Sequence, residues 1–183
     1  TADEAESLGD KPFAWRLRTT DIAREFVDLV AGTQRARVKQ QLGDFVVSKM
    51  DGSPAYQLAV VCDDHAMGVT EVLRGDDLLP SAFRQMELFE ALGWTPPTFA
   101  HVPLVVGLDG RRLAKRHGDT RLATLRQQGV AAETLLGLLA WSCGLRATTE
   151  AISAKELLTD FSLPRIAPTP FVFNPSGLLS NDH

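Results

Sequence analysis

The sequence predicts an α/β fold, and three observations carry that expectation. Short segments of alternating apolar and polar residues fill positions 13–50, with the period of half-buried strands. Residues 55–92 then read as a helix, a short strand, a charged loop and a second helix. The last third turns to helical patterns divided by glycines. With 183 residues, 44% hydrophobic and 23% charged, the chain can bury a core and suits one or two small domains.

Residues 1–11 are small, acidic and polar and are expected to be loose. FAWRLR from Phe13, EFVDLVAG from Glu25, RARVKQ from Arg35 and DFVVSKM from Asp44 each read as strands, up to a turn at Asp51-Gly52. Ser53-Pro54 sets a capping hydroxyl before a first-turn proline, so a helix is expected from about Ala55 to Met67, with Gly68 as its left-handed stop. VTEVLR from Val69 supplies a strand ending on Arg74, and Asp76 or Asp77 opens the next connection. Phe83, Met86, Phe89 and Leu92 recur at three-residue steps, which predicts an amphipathic helix over 80–92 stopped by Gly93. Thr95-Pro96-Pro97 breaks the chain, FAHVPLVV from Phe99 predicts another strand, and Leu108-Asp109-Gly110 a turn. ATLRQQG, AAETLLGLLAWSCGL and SAKELLTDF complete the order as three helices.

Composition removes several classes of function. No apolar run approaches a membrane span, and the N-terminal stretch is acidic where a signal peptide is basic and then apolar, so a cytoplasmic protein is expected. Cys62 and Cys143 lie far apart without partners at metal spacing; buried thiols are expected, with neither a disulfide framework nor a zinc site. A net charge of -4 argues against wholesale binding of a phosphate backbone but leaves room for a local basic face. Asp63, Asp64, Asp76 and Asp77 match no loop ligand set, so capping and loop-holding roles are expected, and His65 and His101 read as structural.

Arg74 stands out because ligands of open α/β sheets collect beyond the carboxyl ends of strands. Its planar fork matches a carboxylate; the plainer alternative is an arginine closing a strand onto the nearby aspartates. Tyr56 by itself reads as a half-buried core tyrosine, and RRLAKRHG from Arg111 as a solvated basic turn.

YQLAVVCDDHAMGVTEVLRGDDLL, from Tyr56 to Leu79, resembles the second half of the class I catalytic domain of glutamyl-tRNA synthetases. Tyr56, Ala59, Asp63, Asp64, Met67, Gly68, Thr70, Arg74 and Gly75 stand at matching motif positions. RRLAKRHG, from Arg111 to Gly118, resembles the family's lysine loop, written KMSKS and often KLSKRHG. A weaker likeness runs from about Phe13 to Leu179. The resemblance implies the second half of a Rossmann-like nucleotide-binding domain over 50–119, strands of an inserted, acceptor-binding type of region over 1–49, and a small helical stem-contacting region over 120–183.

It also implies a chemistry. The carboxylate of glutamate attacks the α-phosphorus of ATP, pyrophosphate leaves, and the acyl group passes to tRNA. Arg74 is then assigned to the substrate carboxylate and Tyr56 to the bound glutamate. Lys115 aligns with the second lysine of the loop as the catalytic cation, and Arg112 and Arg116 join it on ATP, with His117 able to add to the field. Magnesium is expected to arrive bound to ATP. Two positions depart from the family: Arg112 stands where the first lysine is usual and Ala114 where a serine is usual.

Nothing from Thr1 to Lys49 resembles the HIGH-type half of such a domain. The chain is therefore expected to be the C-terminal part of a longer enzyme, inactive alone and prone to self-association through open strand edges. Gln57-Leu58 and Leu78-Leu79 favour the glutamyl-Q tRNA(Asp) branch, while KRHGD and FNPSGLL look more like ordinary glutamyl-tRNA synthetases; glutaminyl enzymes are a further neighbour. The accepting RNA is accordingly tRNA(Asp) or tRNA(Glu). A non-catalytic module binding tRNA or a protein is the reading of another class, motivated by Arg112, Ala114 and the missing half.

Overall fold

The computed structural model describes residues 1–113 and 122–173. They form a mixed α/β structure in two compact units: Thr1–Asp28 with Gly32–Ala100, and Leu29–Ala31 with the chain from His101 onward. The first unit therefore holds the early strands and the helix-strand-helix segment together.

The first unit opens with a helix, α1 (Ala2–Ser7), where a loose segment was expected. Thr1 and Glu4 form a reciprocal capping box that satisfies the first-turn amides, a signature present in the opening residues. β1 (Trp15–Leu17) pairs antiparallel with β4 (Phe45–Ser48). β2 (Ala23–Asp28) and β3 (Gly32–Arg37) form an antiparallel hairpin with Ala23 opposite Arg37 and Asp28 opposite Gly32. The expected strand over 35–40 stops at Arg37, and Val38–Gln41 is a helical turn, α2. The Arg37 N–H donates to Gln41 Oε1 at 3.1 Å, and Val38 is fully buried with Ala36 and Phe83. Alternation alone could not separate a strand residue from one turned into the core by a single helical turn.

α3 (Tyr56–Ala66) begins where expected but without the expected cap. The Ser53 hydroxyl donates instead to Asp51 Oδ1 at 2.6 Å, closing the 51–53 turn. Pro54 bridges Ser48, and the Ala55 N–H donates to Val47 O at 2.9 Å, so the chain runs on as an added edge of β4 before it coils. Gly68, at φ +67°, ends the helix, and β5 (Glu71–Gly75) follows. A 3-10 turn over Asp76–Leu78 leads directly into α4 (Leu79–Ala91), stopped by Gly93 at φ +72°. β6 (Thr98–Val102) pairs with β5.

The core of this unit lies between α3, α4 and β4. Val61, Leu88, Phe89 and Phe45 form its buried centre, with Leu17, Val47, Leu58 and Trp94 packed around it. A second cluster sets Phe83 of α4 against Ala36 and Val38, with Phe26 edge-on to Phe83 at 5.1 Å. Because α4 is covered on two sides, its buried face is wider than the expected stripe. Ser81, Gln85 and Glu87 are buried with it, while Leu92 is 41% exposed. His65 stacks on Trp94, ring centroids 3.9 Å apart, which fits the structural role expected of it.

In the second unit the expected strand over 99–106 is interrupted at Pro103, whose missing N–H cannot sustain a ladder. β7 (Val105–Val106) pairs parallel with β8 (Phe171–Val172), and Val106 also bridges Arg112 across a turn in which Asp109 Oδ1 accepts from the Arg111 N–H. Three helices follow as expected: α5 (Leu122–Gln127), α6 (Ala132–Ser142) and α7 (Ala154–Thr159), the last with a Ser153–Glu156 capping box. Ala140, Leu145 and Ile166 form the buried centre. Cys62 and Cys143 are free and half-buried, where buried thiols were expected. No helix among the described residues is long and apolar enough to cross a membrane.

Candidate active site

β5 ends on Arg74 and Gly75 because the chain turns there into the Asp76–Leu78 turn, which leaves the Arg74 side chain at the carboxyl end of the strand. The guanidinium lies over the Phe99 ring, 5.4 Å from its centroid, and donates through Nη2 to Leu78 O at 3.4 Å. Half-burial lowers its pKa from the ordinary arginine value, and the fields of Tyr56, Asp64 and Asp28, in that order, oppose the shift. The group stays cationic in any aqueous buffer. It is partly desolvated and backed by an aromatic face, which raises the strength of its contact with an arriving anion.

Tyr56 is the first residue of α3 and is 57% exposed, so its phenol faces solvent and is no core tyrosine. The structure brings Tyr56 and Arg74 into one electrostatic neighbourhood across the α3–β5 connection. Asp64 completes it from the body of α3. Burial raises its carboxyl above the usual value, with the Arg74 charge opposing and Asp63 adding to the rise. A capping role does not fit Asp63 and Asp64, which lie inside α3, whereas Asp76 and Asp77 open the 3-10 turn in the loop-holding place expected of them.

Arg112 is exposed and belongs to the second unit, at its bridge to Val106. Lys115, Arg116 and His117 lie outside the described residues. Among the described residues there is no group of three or more His, Cys, Asp or Glu that could hold a metal ion. Two clefts of the first unit, of about 380 and 290 Å³, are lined by residues such as Ala14, Met50, Trp15 and Arg18 and do not include Tyr56 or Arg74.

Sequence reasoning overlooked Phe99 and Asp28 as neighbours of Arg74, and the bond from Gln57, next to Tyr56, to the buried Ser81 of α4. Phe99 begins a recognisable strand motif, but its seat under the guanidinium depends on the pairing of β6 with β5.

This arrangement can hold a small anion beside a phenol. The family of class I tRNA synthetases (E and Q), catalytic domain, matches residues 3–178. A glutamyl-Q tRNA(Asp) synthetase of Rhodopirellula baltica is 50% identical over 154 residues, 81% of this chain and 47% of that protein. Another, from Symbiobacterium thermophilum, is 51% identical over 165 residues, 90% of this chain and 50% of that protein. A glutamate–tRNA ligase 2 of Syntrophus aciditrophicus is 39% identical over 95% of this chain and 36% of that protein. In three dimensions the chain is similar to a glutamate tRNA ligase from Elizabethkingia meningosepticum in complex with its amino acid, with a TM-score of 0.81 and 28% identity over 97% of this chain and 40% of the other. The chain spans about half the length, or less, of the curated relatives it matches. With the motif residues, the α/β fold and a family match over nearly the whole chain in agreement, the chain belongs to the class I tRNA synthetases for glutamate and glutamine, as part of their catalytic domain.

Proposed function

We propose that the full-length protein activates glutamate with ATP and transfers it to tRNA(Asp), in the manner of a glutamyl-Q tRNA(Asp) synthetase. The observation that carries the reading is Arg74, a half-buried guanidinium at the end of β5, set over Phe99 and beside Tyr56. A bidentate fork of this kind holds a carboxylate and fixes its plane. The Tyr56 hydroxyl supplies a second polar contact, and its ring the packing surface.

In this reading the region over 50–119 is the second half of a Rossmann-like nucleotide domain, preceded by the inserted region over 1–49 and followed by the stem-contacting region over 120–183. Lys115 is the catalytic cation, with Arg112 and Arg116 as further contacts to the ATP phosphates. A carboxylate oxygen of glutamate bonds to the α-phosphorus, the bond from that phosphorus to the bridging oxygen breaks, and pyrophosphate departs with the electron pair. The protein's part is to align two anions and to offset charge on the leaving group, which compact ammonium and guanidinium groups do well. Magnesium belongs to the ATP, where it would supply charge neutralisation on the phosphates. The cytoplasm is the compartment in which this chemistry would run.

The branch is favoured by the names of the relatives at 50% and 51% identity, both glutamyl-Q tRNA(Asp) synthetases. The second reading, an ordinary glutamate–tRNA ligase, is favoured by relatives at 39% that carry that name and by the similarity to the Elizabethkingia enzyme. Charging assays with purified tRNA(Asp) and tRNA(Glu) separate them. Label from glutamate on tRNA(Asp), with pyrophosphate exchange that needs no RNA, supports the first. Label on tRNA(Glu), with exchange only in its presence, supports the second.

A further inference from the structure

The packing of α3 against α4 carries a polar seam that starts at Gln57, the residue after Tyr56. Val61 fills the middle of this interface against Leu88 and Phe89. One turn earlier on α3, Gln57 Nε2 donates to Ser81 Oγ at 2.9 Å. Ser81 and Gln85, 8% and 2% exposed, stand one helical turn apart on α4 and continue the stripe that ends in Phe89. Two atoms of these side chains are buried without a protein partner: Gln57 Oε1, an acceptor, and Gln85 Nε2, a donor. Buried amides left unpaired are costly, and a polar gap with two or more such groups is where an internal water resides.

We propose that Gln57, Ser81 and Gln85 hold one internal water between α3 and α4, and that this seam positions Tyr56; the second part rests on the reading of Tyr56 as a glutamate contact. The water donates to Gln57 Oε1 and accepts from Gln85 Nε2, and Ser81 Oγ gives it a third partner, the usual number for a buried water.

The functional consequence follows from what else holds the first turn of α3. Its N-cap, Ala55, offers no side-chain hydrogen bond, and the Ser53 hydroxyl is engaged by Asp51. The Ala55 N–H on Val47 O anchors the chain to β4 just before the helix, and the bond from Gln57 to Ser81 ties the turn that carries Tyr56 to α4. Ser81 in turn sits on α4, which leaves β5 through the Asp76–Leu78 turn, and Arg74 Nη2 donates to Leu78 O within that connection. The seam thus joins the turn that carries the phenol to the helix that follows the guanidinium.

The test uses the full-length protein: a crystal structure fine enough to show ordered water, and glutamate-dependent pyrophosphate exchange for Gln57→Leu, Gln85→Met, the double variant and Ser81→Thr. The expected result is one water within hydrogen-bond reach of both amides, and a glutamate KM raised about tenfold in each glutamine variant, the equivalent of one hydrogen bond. The KM for ATP and kcat stay within about twofold, since neither depends on where the phenol sits. The double variant is no worse than the worse single one, because both remove the same water, and Ser81→Thr, which keeps the hydroxyl, behaves as the parent. A dry seam with a direct Gln57–Gln85 bond, additive losses in the double variant, or lowered thermal stability with an unchanged glutamate KM would overturn the proposal. Absence of glutamate-dependent exchange in the unaltered protein would overturn the activity reading instead, and the water would then be judged by the crystal structure alone.

Discussion

Glu87 is a buried carboxylate whose removal should cost the first unit heavily. Its side chain is 4% exposed, yet its carboxylate is held by three donors: the Thr20 N–H at 3.4 Å, the Thr20 hydroxyl at 3.0 Å and Arg24 Nε. Arg24, 15% exposed, also reaches Glu90, which is 64% exposed. Burial lowers the Arg24 pKa, but hydrogen bonds and charge from Glu87 and Glu90 outweigh it, and the net shift is upward. Truncating one member of a buried, hydrogen-bonded ion pair costs about 3–5 kcal/mol, because the other charge is left in a poor solvent. Glu90 remains in Glu87→Ala and water screens that pair, so the lower end applies, about 3 kcal/mol. Glu87→Gln keeps acceptors for Thr20 and should lose only about 1–2 kcal/mol. The double change Arg24→Met with Glu87→Leu removes both charges and should return most of the stability. Urea unfolding followed by tryptophan fluorescence reads all three as midpoint shifts at constant slope. A loss below about 1 kcal/mol in Glu87→Ala, or a double variant less stable than Glu87→Ala, would refute the reasoning.

Gly137→Ala should destabilise the second unit by about 1–3 kcal/mol, measured the same way, since a Cβ there would lie 2.1 Å from the backbone oxygen of Glu150. Asp44 accepts from the Thr19 N–H and hydroxyl, and these bonds hold its carboxyl below the usual carboxylate range. A lowered acid pKa stabilises the fold above the unfolded value and is lost as pH falls through the folded one. Thermal midpoints should therefore drop below about pH 4, and less steeply in Asp44→Asn. Phe99→Leu removes the aromatic face beneath Arg74 and should raise the glutamate KM of the full-length enzyme about threefold to tenfold, with the ATP KM unchanged.

What the sequence disclosed is what local chemistry decides. Gly68 and Gly93 end α3 and α4 at the expected places because a left-handed stop needs no tertiary help. Arg74 falls at the end of a strand as anticipated, since the Arg-Gly-Asp-Asp step encodes the turn. What it concealed is what distant residues decide. Ser53 looked like a cap, but Asp51 claims its hydroxyl and β4 holds Pro54 and Ala55 extended. Glu87 falls off the apolar stripe of Phe83, Met86, Phe89 and Leu92, and it is buried because Thr20 and Arg24 close over it. The Phe99 ring under Arg74 comes from the pairing of two strands more than twenty residues apart. Lys115 and Arg116 lie outside the described residues, so their roles rest on the motif.

The central claim is that Arg74 reads the carboxylate of glutamate in an ATP-dependent activation. The most direct measurement is ATP–pyrophosphate exchange by the full-length protein with glutamate, glutamine and aspartate, for the parent and for Arg74→Ala and Arg74→Lys. The account predicts exchange with glutamate and not aspartate, a fall in kcat/KM for glutamate of about 100-fold or more in Arg74→Ala, partial recovery in Arg74→Lys, and an ATP KM left near the parent value. Exchange that survives Arg74→Ala, or that the parent never shows with any of the three amino acids, would contradict it.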